Sequence, residues 1–170
     1  MVVPALAPGQ ISGGKFAFWF QEGNFNSPNE AYVDYTLTFK FGSVSGRDRL
    51  VGTKNADQFT FDHFESFGRK TADKIIGFKA SHGDTIGVSA TACPSLLDSE
   101  EITFAKAHSA KEVRRLSRQD IDFVYFQDRG RLFFNGNGSE KGWGEPDEGG
   151  LFAILKGKPE LSADDFTLLA

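Results

Sequence analysis

Two nine-residue units follow each other in register between residues 43 and 60, and this repeat constrains the fold more than any other feature of the sequence. The first unit reads SVSGRDRLV and the second reads GTKNADQFT. Three pairs of positions correspond in this alignment: Gly46 with Asn55, Asp48 with Asp57, and Leu50 with Phe59. Each unit therefore has a turn-forming residue, then an aspartate, then an apolar residue. Such a repeat predicts short strands that stack turn upon turn.

Strands are also predicted outside the repeat. Apolar and polar residues alternate from Tyr32 to Phe41, which predicts a half-buried strand, and the alternation at Phe16–Phe20 predicts a partner strand. The sequence contains 18 Phe and 19 Gly, and aromatic residues suit pleated sheets while glycine supplies the positive φ angles of tight turns. After Gly42, pairs of apolar residues between Gly and Asp predict very short strands at 50–51, 59–61, 75–76 and 86–88.

One short helix is predicted in the second half of the chain. Ser109 and Glu112 have the spacing of a capping box, so the helix is expected to run to about Arg118. Residues 122–126 and 131–135 then predict a hairpin, and residues 151–155 predict a final strand. We therefore expect a mostly all-β single domain with four regions: N-terminal strands at 1–41, a repeat region at 42–90, a loop and short helix at 91–120, and an antiparallel cap at 121–170.

Composition excludes several classes of protein. Hydrophobic residues make up 39% and charged residues 25% of the 170 residues, which is typical of globular domains. No apolar run approaches the roughly 18 residues of a membrane span, and the net charge of −4 argues against a nucleic-acid partner. The N-terminus lacks the basic region of a cleaved secretory signal. The single cysteine, Cys93, cannot form an internal disulfide and is expected to be buried.

The nonapeptides are similar to the G-G-x-G-x-D-x-U-x repeat of the repeats-in-toxin family of hemolysin-type, calcium-binding secreted proteins. Residues 71–78 and 83–89 resemble the segments that close the repeats of this family. Segments between residues 123 and 169 resemble the C-terminal cap of its members, cyanobacterial ones among them. The resemblance implies a short parallel β-roll or β-helix remnant with an antiparallel cap. It also implies Ca²⁺, a cation that prefers oxygen ligands, at Gly46, Asp48, Gly52, Asn55, Asp57, Asp73 and Asp84.

The sequence also departs from the pattern of the family. Two nonapeptides make one turn of the family's roll, so aspartates eighteen positions apart flank one calcium ion. Here the positions eighteen residues after Asp48 and Asp57 hold serine and isoleucine, and Asp73 comes two residues early. A regular roll with many calcium ions is therefore not expected, and at most one or two modified sites remain, using Asp57, Asp73 and either Asp48 or Asp84. The alternative is that these aspartates only cap turns through hydrogen bonds to the backbone.

Other chemistry has little support in the sequence. The three histidines, His63, His82 and His108, lack the spacing of a zinc site, and no nucleophile motif is present. A basic stripe is predicted on one face of the helix, and it is either a solvated face or a surface for an acidic partner, a polysaccharide or a nucleic acid. Its residues are Lys111, Arg114, Arg115 and Arg118.

The end of the chain bears on location and function. Residues 164–170 have acidic residues followed by apolar ones, which resembles the uncleaved export signal of type I secretion and implies an extracellular or cell-surface location. We expect a secreted, non-enzymatic structural or adhesive module, stabilised by calcium, with a cell-surface polysaccharide or protein as partner. The alternative is a calcium-independent carbohydrate-binding or surface-ligand-binding module, or an enzyme, with its site in the N-terminal strands and the 142–150 loop.

Overall fold

The structure, a computed structural model, describes residues 39–42 and 46–169. Their regular secondary structure is mainly β-strand with one α-helix, as predicted, and they all fall within one compact unit, Leu37–Ala170. The strand predicted at 16–20 and most of the one predicted at 32–41 lie outside the described residues. The elements are β1 (Phe39–Gly42), β2 (Arg49–Val51), β3 (Asp57–Phe61), β4 (Asp73–Ile76), β5 (Thr85–Ser89), β6 (Phe104–Ala107), α1 (Ala110–Leu116), β7 (Phe123–Phe126), β8 (Arg131–Asn135), β9 (Gly149–Leu155) and β10 (Phe166–Leu169).

The strands form two sheets. Sheet A has the order β1-β3-β5-β10, and all of its pairs are parallel. Sheet B has the order β2-β4-β9-β8-β7-β6, with β2, β4 and β9 parallel to one another. In sheet B, β8 is antiparallel to both of its neighbours and β6 is parallel to β7. The first five strands therefore alternate between the sheets, so β3, β4 and β5 each lie beside the strand that is two earlier in the chain.

The alternation follows from a short pattern in which an apolar residue stands two places after an aspartate. Leu50, Phe59, Ile75 and Ile86 occupy this position in β2 to β5, and all four are buried. Leu50 lies opposite Ile75 in sheet B, and Phe59 lies opposite Ile86 in sheet A. Each of these residues thus stacks on its equivalent in the next strand of the same sheet, which fixes the register of both parallel stacks.

Two regions differ from the predicted arrangement. Residues 91–120 were expected to hold only a loop and a helix, but they also contain β6. The four residues of β6 do not alternate clearly between apolar and polar side chains. Residues 121–170 were expected to form an antiparallel cap, and this is correct for β7 to β9 among themselves. However, β9 pairs parallel to β4 and β10 pairs parallel to β5. The cap therefore continues both sheets instead of closing them from outside.

A cluster of phenylalanines joins the repeat region to the cap. The ring of Phe123 in β7 lies 5.3 Å from the rings of Phe134 and Phe152 and 4.9 Å from that of Phe166. Phe152 in turn lies 4.5 Å from Phe61 of β3. Tilted and offset aromatic pairs of this kind are favourable beyond the area that they bury. Strands of both sheets thus share one hydrophobic core.

The helix forms where the sequence predicts it. Ser109 accepts a hydrogen bond from the backbone N–H of Glu112, and the Glu112 carboxylate accepts one from the backbone N–H of Ser109, which completes the capping box. α1 ends at Leu116, two residues before the predicted end. Val113 and Leu116 are buried in a small second cluster with Val124 of β7. This packing holds α1 against sheet B.

Cys93 is buried, as predicted. Burial, and to a lesser extent the nearby carboxylate of Asp122, raises the pKa of its thiol above the usual range. The side chain therefore stays a protonated, small apolar group at neutral pH. Within residues 39–42 and 46–169, no helix is long and apolar enough to cross a membrane.

Candidate functional site: the aspartate-led turns

Aspartates stand where the short parallel strands begin. Asp57 and Asp73 are the first residues of β3 and β4, while Asp48 and Asp84 directly precede β2 and β5. The exposed fractions of Asp57, Asp73 and Asp84 are only 0%, 3% and 2%. A carboxylate buried to this extent needs several hydrogen bonds, because desolvation of an unpaired charge is costly. We call these four residues the aspartate ladder.

In sheet A the ladder joins two neighbouring strands. The backbone N–H of Asp57 donates to Oδ1 of Asp84 at 3.0 Å, and the backbone N–H of Lys79 donates to Oδ2 of Asp84 at 2.8 Å. The carboxylate of Asp57 accepts the backbone N–H of Thr53 on Oδ2 and the hydroxyl of Thr53 on Oδ1 at 2.9 Å. All four carboxylate oxygens of this pair therefore accept a hydrogen bond from the chain itself.

The same relationship recurs in sheet B. The backbone N–H of Asp48 donates to Oδ1 of Asp73 at 2.6 Å. A similar contact occurs at the far end of sheet B, where the backbone N–H and the hydroxyl of Thr103 both donate to Oδ2 of Asp122 at 2.7 Å. Thr103 directly precedes β6 and Asp122 directly precedes β7. Among the residues that the structure describes, an aspartate at or just before the start of a strand accepts the backbone N–H at the start of the neighbouring strand in three places.

Gly52 is required by close packing of the first turn against the next. Its backbone N–H donates to the carbonyl of Ile76 at 2.8 Å. A Cβ at this position would lie 3.0 Å from Oδ2 of Asp57 and 3.5 Å from the carbonyl oxygen of Gly77. Gly77, with φ of +83°, occupies the corresponding turn after β4. The two glycines therefore allow successive turns to stack closely.

The remaining predicted metal residues, Gly46 and Asn55, also form turns. Gly46 has φ of +99°, and its backbone N–H donates to Oε1 of Glu65 at 2.6 Å. Asn55 is exposed, and its backbone N–H donates to the hydroxyl of Thr53 at 3.1 Å. Both residues therefore shape the loops between strands, with their amides held by neighbouring side chains.

These residues do not fit a calcium ion as they are arranged. Calcium takes about six to eight oxygen ligands, usually with several carboxylates. In the part of the chain that the structure describes, no group of three or more His, Cys, Asp or Glu side chains is placed to hold a metal ion. Moreover, the carboxylate oxygens of Asp57 and Asp84 already accept N–H and O–H donors. The arrangement favours the alternative interpretation, in which the aspartates cap turns.

A small cavity lies beside the start of β4. Phe61, His63, Phe67, Asp73 and Phe152 contribute to its wall, and its volume is ≈ 30 Å³. This space holds about one or two water molecules, whereas pockets for small organic ligands measure roughly 300 Å³ or more. Nε2 of His63 is buried and accepts or donates no hydrogen bond among the described residues. The cavity is therefore suited to water and not to a substrate.

In the 142–150 loop, where the alternative site is predicted, Trp143 packs against sheet B and the residues around it are mostly exposed. The indole of Trp143 stacks on the ring of Phe133, with 5.0 Å between centroids and 6° between planes. The backbone N–H of Glu145 donates to Oε2 of Glu148 at 2.8 Å. Trp143 also packs against the small cluster beneath α1. In this loop the aromatic residue thus has a packing role, and the N-terminal strands of that alternative lie outside the described residues.

Comparisons of the chain with models of protein families, with curated proteins and with solved structures found no match. The resemblance to the repeats-in-toxin family therefore rests on the residues and spacings given above.

Proposed function

We propose that this chain is a structural or adhesive module without catalytic activity. The observation that carries the proposal is the aspartate ladder, in which the amide of one aspartate donates to the carboxylate of the next in the same sheet. In an enzyme, acidic groups that act in the reaction lie in a cleft with a perturbed pKa. Here the buried aspartates are used to hold neighbouring turns together.

The proposed architecture is a remnant β-roll that ends in a partly antiparallel cap. Three observations support it: β1 to β5 alternate between two sheets and pair in parallel within each, the apolar residues of successive strands lie in register, and Gly52 and Gly77 stack at corresponding turns. A roll of this kind has open edges that attract further strands. The continuous pairing of β9 and β10 with β4 and β5 covers one such edge in each sheet.

Calcium, which the resemblance implies, is the least supported part of this function. An ion on Asp57 and Asp84 would compete with the backbone N–H groups of Thr53, Asp57 and Lys79 for the same oxygens. A buried amide that loses its acceptor destabilises the fold by about 1–3 kcal/mol. We therefore propose that the module folds without calcium, and that N–H and O–H donors occupy the places where an ion would bind.

The proposed place of action is the cell surface or the medium, on the resemblance of residues 164–170 to an uncleaved export signal. Phe166 from this segment contacts Phe104 and Phe123, at 5.5 and 4.9 Å between ring centroids. Removing the segment would therefore also damage the core. A test of export has to use the full-length chain.

The experiment is fractionation of cultures of the native host with an antibody against the full-length protein. We expect intact protein in the medium or on the cell surface, while a cytoplasmic enzyme followed in the same samples stays inside the cells. Retention of the intact protein with that cytoplasmic marker would contradict the proposal. Turnover of a substrate by the purified protein would contradict its non-enzymatic part.

A further inference from the structure

One face of α1 is strongly basic. Val113 and Leu116 are buried and hold the opposite face against sheet B. The exposed face carries four cationic side chains at positions i, i+3, i+4 and i+7, the last of them in the turn that follows the helix. They are Lys111, Arg114, Arg115 and Arg118, and all four are exposed. We call this surface the basic face of α1.

The charge of this surface is not neutralised by ion pairs within the described residues. In those residues, Lys106 forms an ion pair with Glu160 at 3.2 Å. No cation of the basic face forms an ion pair there. Glu112, the acidic residue of α1, is turned toward the start of the helix, where its Oε2 accepts the backbone N–H groups of His108 and Ser109 at 2.6 and 3.1 Å. The hydrogen bond from the backbone of His108 is the main cause that lowers the pKa of Glu112, and the charge of Arg115 contributes less.

The basic face is also held rigidly at its base. The capping box fixes the first turn of α1, and Leu116 and Val113 fix its rotation on the sheet. The three arginines present planar donors that suit carboxylate and sulfate groups. In a chain with a net charge of −4, such a cluster creates a local positive potential that attracts an anionic partner.

We propose that the basic face of α1 binds a linear acidic polysaccharide through its carboxylate or sulfate groups. This inference rests on the adhesive role proposed above and names the chemistry of its partner. A polysaccharide with widely spaced charges suits an isolated basic face on an acidic protein, because fewer of its charges then lie against the rest of the molecule. Double-stranded DNA carries about one charge per 1.7 Å, so most of its length would be repelled by the rest of the molecule.

A membrane surface fits this face less well. Helices that lie in a bilayer interface insert an apolar face among the lipids. The apolar residues of α1, Val113 and Leu116, are buried in the protein's own core. The exposed large apolar residues of the described chain are Val51, Phe64 and Leu97, and none of them belongs to α1.

The test is binding of the full-length protein to immobilised polygalacturonate and to a lightly sulfated dextran, with neutral dextran as the control matrix. Binding is measured at about 10 mM salt, where the Debye length is about 30 Å, and again at about 1 M salt, where it is about 3 Å. The variant replaces Arg114, Arg115 and Arg118 by Gln. The matched control replaces three other exposed cations, Arg69, Lys70 and Lys79, by Gln, so that both variants lose the same charge.

We expect salt-sensitive binding to at least one acidic polymer, a loss of roughly tenfold or more in the α1 variant, and a much smaller loss in the control variant. Equal losses in both variants would overturn the proposal, since only net charge would then matter. Absence of binding at low salt, or tighter binding to duplex DNA or to anionic vesicles, would also overturn it. None of these outcomes depends on where the protein is located in its host.

Discussion

The backbone N–H of Asp57 donates to the carboxylate of Asp84 at 3.0 Å, although the two residues are 27 positions apart in the chain. They stand at the starts of the neighbouring parallel strands β3 and β5, so the hydrogen bond joins successive strands of sheet A. Asp48 and Asp73 make the same contact in sheet B at 2.6 Å. The carboxylate of an aspartate at the start of one strand thus accepts the backbone N–H at the start of the preceding strand in the same sheet.

Replacing Asp84 by Asn removes one acceptor from a side chain that uses both of its oxygens. The amide nitrogen of Asn would face the backbone N–H of either Asp57 or Lys79, leaving that donor without an acceptor. We expect the free energy of unfolding to fall by about 1–3 kcal/mol, measured by urea denaturation. Asp147→Asn, at an exposed position, is the control and should change stability by less than about 0.5 kcal/mol. Equal stability of the two variants would show that the ladder contributes nothing.

Gly52→Ala tests the close stacking of turns. The added Cβ would lie 3.0 Å from both Oδ2 of Asp57 and the ring of Phe59, so the turn or the ring has to shift. We expect a loss of about 1–3 kcal/mol from this overpacking. At Gly68 a Cβ meets nothing within 4 Å, and Gly68→Ala should leave the melting temperature nearly unchanged. Similar effects of the two substitutions would contradict the stacked turns.

Phe123→Ala tests whether the cap and the repeat region share one core. The side chain is fully buried and its ring contacts the rings of Phe134, Phe152 and Phe166. We expect a loss of about 3–5 kcal/mol, with a single cooperative unfolding transition that shifts as a whole. Phe64→Ala, at a residue that is 48% exposed, should have little effect. Two separate transitions would mean that the cap unfolds on its own.

Glu112 gives the helix a pH dependence. Hydrogen bonds from the backbone of His108 and Ser109, with the nearby His108 and Arg115 charges, hold its pKa below the usual 4.5. Since the folded pKa is the lower one, the stabilisation is present above pH 4.5 and is lost as the pH falls through the lowered value. We expect Glu112→Gln to melt at a lower temperature than the natural chain at neutral pH, with the difference shrinking in acid. Glu140→Gln, at an exposed loop position, should show no such change.

Much of the local structure could be predicted from the sequence. The pairs of apolar residues between Gly and Asp identified the short strands from Leu50 to Ile86, and the capping box of Ser109 identified α1. Both signals are local, because they depend on residues a few positions apart. The burial of Cys93 followed from its residue type alone.

The pairing of distant elements could not be predicted in the same way. The partner of the Asp57 amide is 27 residues away, and no local pattern specifies it. Strand β6 was missed because Phe104–Ala107 is short and carries a lysine among small residues. The parallel pairing of β9 and β10 with the repeat strands depends on the shared phenylalanine core, which only the folded chain brings together.

The most direct test of this account is thermal unfolding of the full-length protein in chelator, in millimolar calcium, and in millimolar magnesium as the control. If the aspartates hold the turns by accepting hydrogen bonds, the melting temperature will be the same in all three conditions. A ligand that binds only the folded state raises the melting temperature, and the rise grows with the ligand concentration relative to its Kd. A rise that is specific to calcium, and that disappears in Asp57→Ala, would contradict the account and establish an ion at the start of β3.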